Sequence, residues 1–122
     1  MIQHRTILKS ADNTGVKKLQ CIGIPGYSKK RYAQIGDIIV CSVKESLPTS
    51  EIKKGTVVRV LIVRQKKPWR RKDGSYIRFS ENAGVIIDKD KSLKGTRIFG
   101  PIPREFKEWG YDDLVSLAPA LV

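Results

Sequence analysis

The 122-residue chain carries 24 lysines and arginines against 12 acidic residues, and its formal charge at neutral pH is +12. This length indicates one domain with a real core, and the positive excess indicates a polyanionic partner, either nucleic acid or an anionic membrane surface. No apolar run approaches the roughly twenty residues of a spanning helix and no basic amphipathic helix is visible, which disfavours a membrane.

The first residues, "MIQHRTILKS", do not resemble a signal or transit peptide, because they lack a long apolar stretch and continue into strand-like sequence. Cys21 and Cys41 each lie in an apolar run, there is no CxxC motif, and His4 is the single histidine. Zinc needs more ligands than these. We therefore expect buried, reduced thiols in a protein that is not secreted, with a disulfide or a reactive site as the alternative.

Short β-type runs follow one another along the chain, separated by turn clusters rich in Gly, Pro, Asn and Asp. The predicted strands cover residues 6–10, 19–24, 35–43, 56–64, 76–80 and 84–88. Two runs, "DIIVCSV" and "TVVRVLIV", are apolar at nearly every position, so both of their faces must be covered. A small closed β-barrel meets this requirement because it surrounds a core and leaves no exposed edge.

The end of the chain differs from the rest. The stretch "PREFKEWGYDDLVSLAPALV" has acidic residues at candidate helix starts and predicts one or two short helices within residues 103–118. Residues 1–100 hold 22 basic and 8 acidic residues, whereas residues 101–122 hold 2 basic and 4 acidic ones. Nucleic acid would avoid such a tail, so we expect it to pack on the barrel, with a contact to another protein as the alternative.

The stretch "RQKKPWRRK", residues 64–72, contains six positive charges and no acid. Asp73-Gly74 follows it and predicts a two-residue hairpin turn, with Lys72 opposite Ser75 and Trp69 opposite Arg78. Alternation of side chains then places one group of cations and aromatics on a single face of the ribbon: Lys67, Trp69, Arg71, Tyr76 and Arg78.

Neither face of this ribbon is uniformly apolar, so the hairpin, residues 59–80, is predicted to project from the barrel. Its guanidinium groups suit phosphates, and Trp69 or Tyr76 offers a surface for base stacking. The alternative is a solvated charge run in which Trp69 covers Arg78 through a cation–π contact. A second basic and aromatic loop, "YSKKRY" at residues 27–32, favours nucleic-acid binding.

Catalysis gains no support from the residues. There is no P-loop, no GxGxxG and no HExxH motif, and one histidine is available as a general base. The acidic residues lie beside turns or lysines, where turn hydrogen bonds and ion pairs explain them. We predict no enzyme, no catalytic residue, no metal site and no cofactor.

Several long segments carry a family resemblance: "ADNTG", "RYAQIGDIIVCSVKESLP", "VVRVLIVRQKKPWRRKDGSYIRFSENAGVIID", "KGTRIFGPIPRE" and "VSLAPALV". Running nearly from end to end, they resemble the L-fourteen family of the large ribosomal subunit, in its bacterial and organellar form. Val60 departs from the family pattern, which prefers Ala or Gly there. The Pro68-Trp69 pair and the "KEWGYDD" segment, residues 107–113, also depart from it.

The resemblance implies a mainly β fold, a five-stranded closed barrel with a projecting basic hairpin and short C-terminal helices. It also implies binding to large-subunit rRNA, a bridge to small-subunit rRNA, contacts with neighbouring ribosomal proteins, and a ribosome-silencing factor as a further partner. By position, the RNA-facing candidates are Lys29, Lys30, Arg31, Arg64, Lys66, Lys67, Trp69, Arg70, Arg71, Lys72 and Arg78.

Thr96 and Arg97 lie in the "GTRIFG" match, which the resemblance associates with the intersubunit face. Their general interpretation is a surface loop in which Arg97 forms an ion pair. Two other functional classes remain open, namely a freestanding barrel that binds single-stranded nucleic acid and a protein adaptor that uses the acidic aromatic tail. The expected location is the large ribosomal subunit, in the mitochondrial matrix rather than bacterial cytoplasm or plastid stroma, because the hairpin is unusual.

Overall fold

Seven strands and two short helices make up the computed structural model, which describes residues 2–26 and 31–122. The elements are β1 (Ile7–Ser10), β2 (Val16–Gly23), β3 (Ile38–Ser46), β4 (Val57–Arg64), β5 (Trp69–Arg70), β6 (Tyr76–Ile77), β7 (Ala83–Ile87), α1 (Glu105–Glu108) and α2 (Asp112–Leu117).

Five of the strands close into a barrel in the order β1-β2-β3-β4-β7. Neighbours are antiparallel except at the closure, where β1 and β7 run parallel and Lys9 pairs with Ala83. The predicted closed five-stranded barrel and the two short C-terminal helices are thereby confirmed. The two remaining strands, β5 and β6, form a separate ribbon outside the barrel.

The core follows from the strand patterns. Strand β3 fully buries only alternate residues, Ile39, Cys41 and Val43, and the residues between them are half-buried. Its second face is therefore less covered than the sequence predicted for "DIIVCSV". In contrast, β7 is buried at all five positions and β4 at its last five, so these strands are covered on both faces. The chain after β7 adds four buried apolar side chains to the same core cluster: Ile98, Ile102, Phe106 and Leu114. The tail therefore packs on its own barrel, as the sequence predicted.

Both cysteines lie inside the barrel. Cys21 of β2 and Cys41 of β3 are directly opposite each other, and both are buried free thiols. Burial raises the pKa of both thiols, which keeps them protonated and unreactive at neutral pH. They act as small apolar core residues.

Val60, the departure inside β4, lies against a glycine of β7. A Cβ atom added to Gly84 would stand 2.3 Å from Cγ1 of Val60 and 3.0 Å from the carbonyl oxygen of Leu61. The valine side chain therefore fills the space that a side chain at position 84 would need. Close packing makes the two positions interdependent, so a larger residue at 60 requires glycine at 84.

Within residues 2–26 and 31–122, the two helices are far too short to cross a lipid bilayer.

Candidate nucleic-acid interface

The basic hairpin turns through three residues. The Arg71 amide donates to the Ser75 carbonyl at 2.8 Å, and the Gly74 amide donates to the Arg71 carbonyl at 3.0 Å. Of residues 71–75, only Gly74 has a positive φ, at 87°. This is a type I turn followed by a left-handed glycine, rather than the two-residue type I′ turn that Asp73-Gly74 predicted. Hydrogen bonds from Ser75 fix the Asp73 carboxylate and hold its pKa below the usual range.

The longer turn shifts the hairpin register by one residue. Trp69 pairs with Ile77 and Arg70 pairs with Tyr76, whereas the sequence predicted Trp69 opposite Arg78. That predicted register is wrong, because the turn takes one more residue than expected. Since directly opposed side chains share a face, the shift moves Tyr76 and Arg78 to the face opposite Trp69.

The face that carries Trp69 is covered by the C-terminal segment. Trp69, Ile77 and Phe79 are partly buried, and Trp69 and Phe79 pack against the core. The Trp69 ring meets Trp109 edge-on, with 5.7 Å between ring centroids. Trp109 also contacts Phe106, at a centroid distance of 5.2 Å. The expectation that neither face of the ribbon would be buried is therefore wrong.

The two segments that depart from the family pattern meet at this contact, since Trp69 belongs to one and Trp109 to the other. Trp109 also lies over the turn before β3, where a Cβ on Gly36 would stand 2.6 Å from its ring. Gly36 has φ of 92°, a conformation that glycine adopts without strain. The Trp109 ring therefore links the barrel, α1 and the hairpin.

Arg71 also faces the C-terminal segment. Its Nε lies 2.9 Å from Oε1 of Glu105, and the two side chains are only 11% and 14% exposed. Nε makes no hydrogen bond, so the contact is an ion pair. Nη2 of Arg71 donates to the main-chain oxygen of Val122. Arg71, predicted to face RNA, is thus neutralised by its own chain.

Arg64 is likewise committed to its own chain, although the sequence placed it on the RNA surface. The residue is 6% exposed. Its Nη1 donates to the carbonyl oxygens of Phe99, at 2.8 Å, and Pro101, at 3.1 Å, and Nη2 donates to Oε1 of Glu81 at 3.1 Å. The guanidinium fastens the loop before α1 to the end of β4.

Glu81 also lies 3.2 Å from the ammonium of Lys9. Partial burial on its own would raise the pKa of Glu81, but the hydrogen bonds and charges of Lys9 and Arg64 outweigh it and hold that pKa below its usual range.

The opposite face of the ribbon is open and basic. We call it the outer face; its residues are Arg70, Tyr76 and Arg78, and we include with them Lys72 of the adjoining turn, all of them exposed. In the described part of the chain, no carboxylate forms an ion pair with its three cations or with the preceding Lys66 and Lys67. The hairpin thus separates a neutralised inner face from an unneutralised outer one. Polar and apolar residues alternate in "YIRF", residues 76–79, a signal that could have identified this outer face from sequence.

A model of the family described as "Ribosomal protein L14p/L23e" matches residues 1–122, the whole chain. The chain belongs to this family. It is accordingly a structural component of the large ribosomal subunit and not an enzyme, and its family implies rRNA and ribosomal proteins as partners. The resemblance to the L-fourteen family is confirmed at the level of the family.

A second basic loop of this L14p/L23e protein, residues 27–32, lies partly within the described residues. Arg31 and the neighbouring Tyr32 are exposed, Tyr32 by 51%. Lys29 and Lys30, predicted to face RNA with Arg31, lie outside the described residues.

The predicted partner residues of the L14p/L23e protein, Thr96 and Arg97, lie exposed on a loop that Asn13 holds in place. Oδ1 of Asn13 accepts hydrogen bonds from the amides of Thr96, at 2.8 Å, and Arg97, at 3.1 Å, while Nδ2 donates to the Thr96 hydroxyl at 2.8 Å. The Arg97 guanidinium lies 5.8 Å from the ring centroid of Phe99. Among the described residues Arg97 forms a cation–π contact and no ion pair, which differs from its general interpretation. Sequence reasoning missed Asn13, whose partners are more than eighty residues away.

The described residues of the L14p/L23e protein contain no group of three His, Cys, Asp or Glu side chains placed to bind a metal. A groove of about 510 Å³ beside β1 and β2 is lined by apolar, lysine and small polar side chains and by two acidic ones, Asp12 and Glu45. The Asp12 carboxylate is buried and accepts hydrogen bonds from Ser10, Thr14 and the Ile86 amide, which ties the β1–β2 turn to β7. Its role is structural.

Proposed function

We propose that this protein binds large-subunit rRNA through the outer face of its hairpin, together with Lys66, Lys67 and the loop that carries Arg31. Lys29 and Lys30 of that loop belong to the same proposal. The observation that carries it is the separation of charge across the ribbon. Among the described residues, Glu105 pairs with the inward Arg71, and no acidic residue forms an ion pair with the outward cations. Cations left unneutralised on a fold of this net charge are explained by phosphates.

The revised surface omits three residues that the sequence included. The guanidinium groups of Arg64 and Arg71 bind acceptor groups of the chain itself. Trp69 packs on Trp109 and offers no free ring face on the outer side. Because the C-terminal segment covers the face that carries Trp69, the ribbon meets RNA with its outer face alone.

The mechanism is placement within folded RNA. Each lysine or arginine that meets a phosphate releases a condensed counterion, and this release supplies affinity without reading sequence. The closed barrel supplies a rigid shape, and RNA is recognised largely through shape, backbone and unpaired bases. Little contact with base edges is required.

Sedimentation tests the proposal. We expect the epitope-tagged chain, expressed in its own cell type, to migrate with the large subunit in sucrose gradients and to remain there after a wash in about 0.5 M salt. A protein with many phosphate contacts inside folded RNA is held by shape as well as by charge, so added salt alone does not release it. An untagged strain is the control.

Release into the light fractions would contradict the proposal and favour a freestanding barrel that binds single-stranded nucleic acid. Capture of protein partners that survives nuclease, without rRNA, would favour the adaptor.

The same proposal includes a bridge to small-subunit rRNA made by the loop of Thr96 and Arg97. Asn13 presents this loop with both residues exposed and with the Arg97 charge unpaired among the described residues. A ribosome-silencing factor that occupied this loop would block subunit joining.

We expect Arg97→Ala to weaken subunit association roughly 2- to 10-fold, the equivalent of one hydrogen-bonded contact. The fraction of joined ribosomes in gradients at limiting magnesium measures it, with Lys107→Ala on α1 as the control. An unchanged fraction for Arg97→Ala would remove the loop from the bridge.

The Pro68-Trp69 pair in the hairpin favours a mitochondrial ribosome over a bacterial or plastid one. Mass spectrometry of large subunits from isolated mitochondria tests this localisation.

A further inference from the structure

Tyr76 is the one aromatic residue of the outer face. Its side chain is 66% exposed, the highest value among the exposed large apolar residues of the described chain. The ring makes no aromatic contact there, whereas Trp69 on the inner face has Trp109 as a partner. An exposed aromatic ring beside cations offers a face on which another flat ring can stack.

Two arginines flank this ring. Arg70 is the directly opposed cross-strand partner of Tyr76. Arg78 lies two positions after Tyr76, one residue beyond the end of β6, and is exposed like Tyr76. Directly opposed residues have Cβ atoms about 5 Å apart and next neighbours along a strand about 7 Å. Successive phosphates in an RNA strand lie at a comparable spacing.

We propose that Tyr76 stacks on an unpaired base of the RNA while Arg70 and Arg78 bind the phosphates on either side of that nucleotide. This inference rests on the proposed rRNA binding and names the kind of RNA element that the outer face recognises. In an A-form duplex both faces of each base are covered by their neighbours, so only a base in a loop, bulge or strand end has a face for Tyr76.

Contacts on the inner face hold the ribbon, and with it the Tyr76 ring, in a fixed position. The Trp69–Trp109 contact and the Arg71–Glu105 ion pair fix the back of the ribbon to α1 and the residue that ends it. Tyr76 is therefore held in place before RNA arrives, and little ordering entropy is lost on binding. Substituting the exposed ring leaves these contacts intact, so thermal unfolding is expected to be unchanged.

Two RNA probes separate stacking from charge. Fluorescence anisotropy of the full-length protein is measured with a labelled 12-nucleotide oligoadenylate and with a labelled 12-base-pair RNA duplex. We expect Tyr76→Ala to weaken binding of the single strand roughly 5- to 100-fold, the loss of one base-stacking contact, with an unchanged salt slope. Binding of the duplex should stay within about twofold, because phosphate contacts suffice for it. Tyr76→Phe keeps the ring and should retain both affinities.

The comparison with Arg70→Gln completes the test. That variant should weaken both probes and lower the salt slope by about one unit, since it removes a phosphate contact. Equal losses for both probes with Tyr76→Ala, or no loss for the single strand, would overturn the stacking role while leaving the proposed function standing. Wild-type protein that bound neither probe and left the large subunit in the salt wash would overturn both.

Discussion

Replacing Arg70, Lys72 and Arg78 together with glutamine is expected to weaken binding of large-subunit rRNA and to flatten its salt dependence by about two to three units of log K against log [salt]. Each of these side chains is exposed and lacks an acidic partner in the described structure. Each phosphate contact contributes about 0.7 to 0.9 of a slope unit, so the loss near 0.1 M salt is on the order of a hundredfold. Filter binding of an in vitro transcribed large-subunit RNA over a series of salt concentrations measures both quantities.

The matched control removes the same charge elsewhere. Lys44→Gln, Lys54→Gln and Lys89→Gln change exposed lysines on β3 and on the turns beside β4 and β7. If the outer face makes the contacts, this control lowers affinity only through net charge and changes the slope by less than one unit. Equal slopes for the two triple variants would show that total charge, and not the hairpin, determines binding.

The barrel was predictable because its signal is local. Strand β4 is β-branched and apolar at almost every position, and a chain this small can cover both faces of such a strand only by closing the sheet or laying the remaining chain across it. Both occur: the sheet closes through β7, and the tail brings Phe106 and Leu114 to the core. Neither the closed sheet nor the packing of the tail had to be inferred from a contact between residues distant in the sequence.

The hairpin register was not predictable from its turn. Asp73-Gly74 suits a two-residue type I′ turn and equally a three-residue turn that ends on a left-handed glycine. The two alternatives differ in which face receives Ile77 and Phe79. The contact between Trp69 and Trp109, which is distant in the chain, favours the register in which Ile77 and Phe79 also face inward. The turn sequence thus allows two registers, and a tertiary contact selects one of them.

Arg64 shows the same limit for a single side chain. In the sequence it begins a run of six cations and looks like the others. Its three hydrogen-bond partners are 17, 35 and 37 residues away in the chain, so the sequence gives no indication that it is structural. Composition predicts that the chain has a basic surface, while contacts that only the fold brings together decide which of its cations remain exposed.

Arg64→Met is accordingly expected to act on stability. The side chain is 7% exposed and satisfies the carbonyl oxygens of Phe99 and Pro101 and the carboxylate of Glu81. Methionine fills part of the volume but donates no hydrogen bond, so two backbone acceptors and a carboxylate lose their partner. Glu81 is about one-third exposed and can turn to water, which limits the loss. We expect the free energy of unfolding in urea to fall by about 2–4 kcal/mol.

Arg59→Met is the matched control, because Arg59 lies on the same strand with its side chain in solvent and without an ion pair in the described structure. Its effect should stay within about 0.5 kcal/mol. Arg64→Lys should lie between the two, since an ammonium can reach one or two of the acceptors but cannot reproduce the planar fork. The rRNA affinity of Arg64→Lys is measured without denaturant, at a temperature where the variant is folded. Under these conditions its affinity should fall only slightly, and the salt dependence of its binding should match that of the wild type. If Arg64→Met were as stable as the wild type and its rRNA binding depended less steeply on salt, Arg64 would belong to the RNA-binding surface. The loop before α1 would then have to open and release the guanidinium when RNA binds.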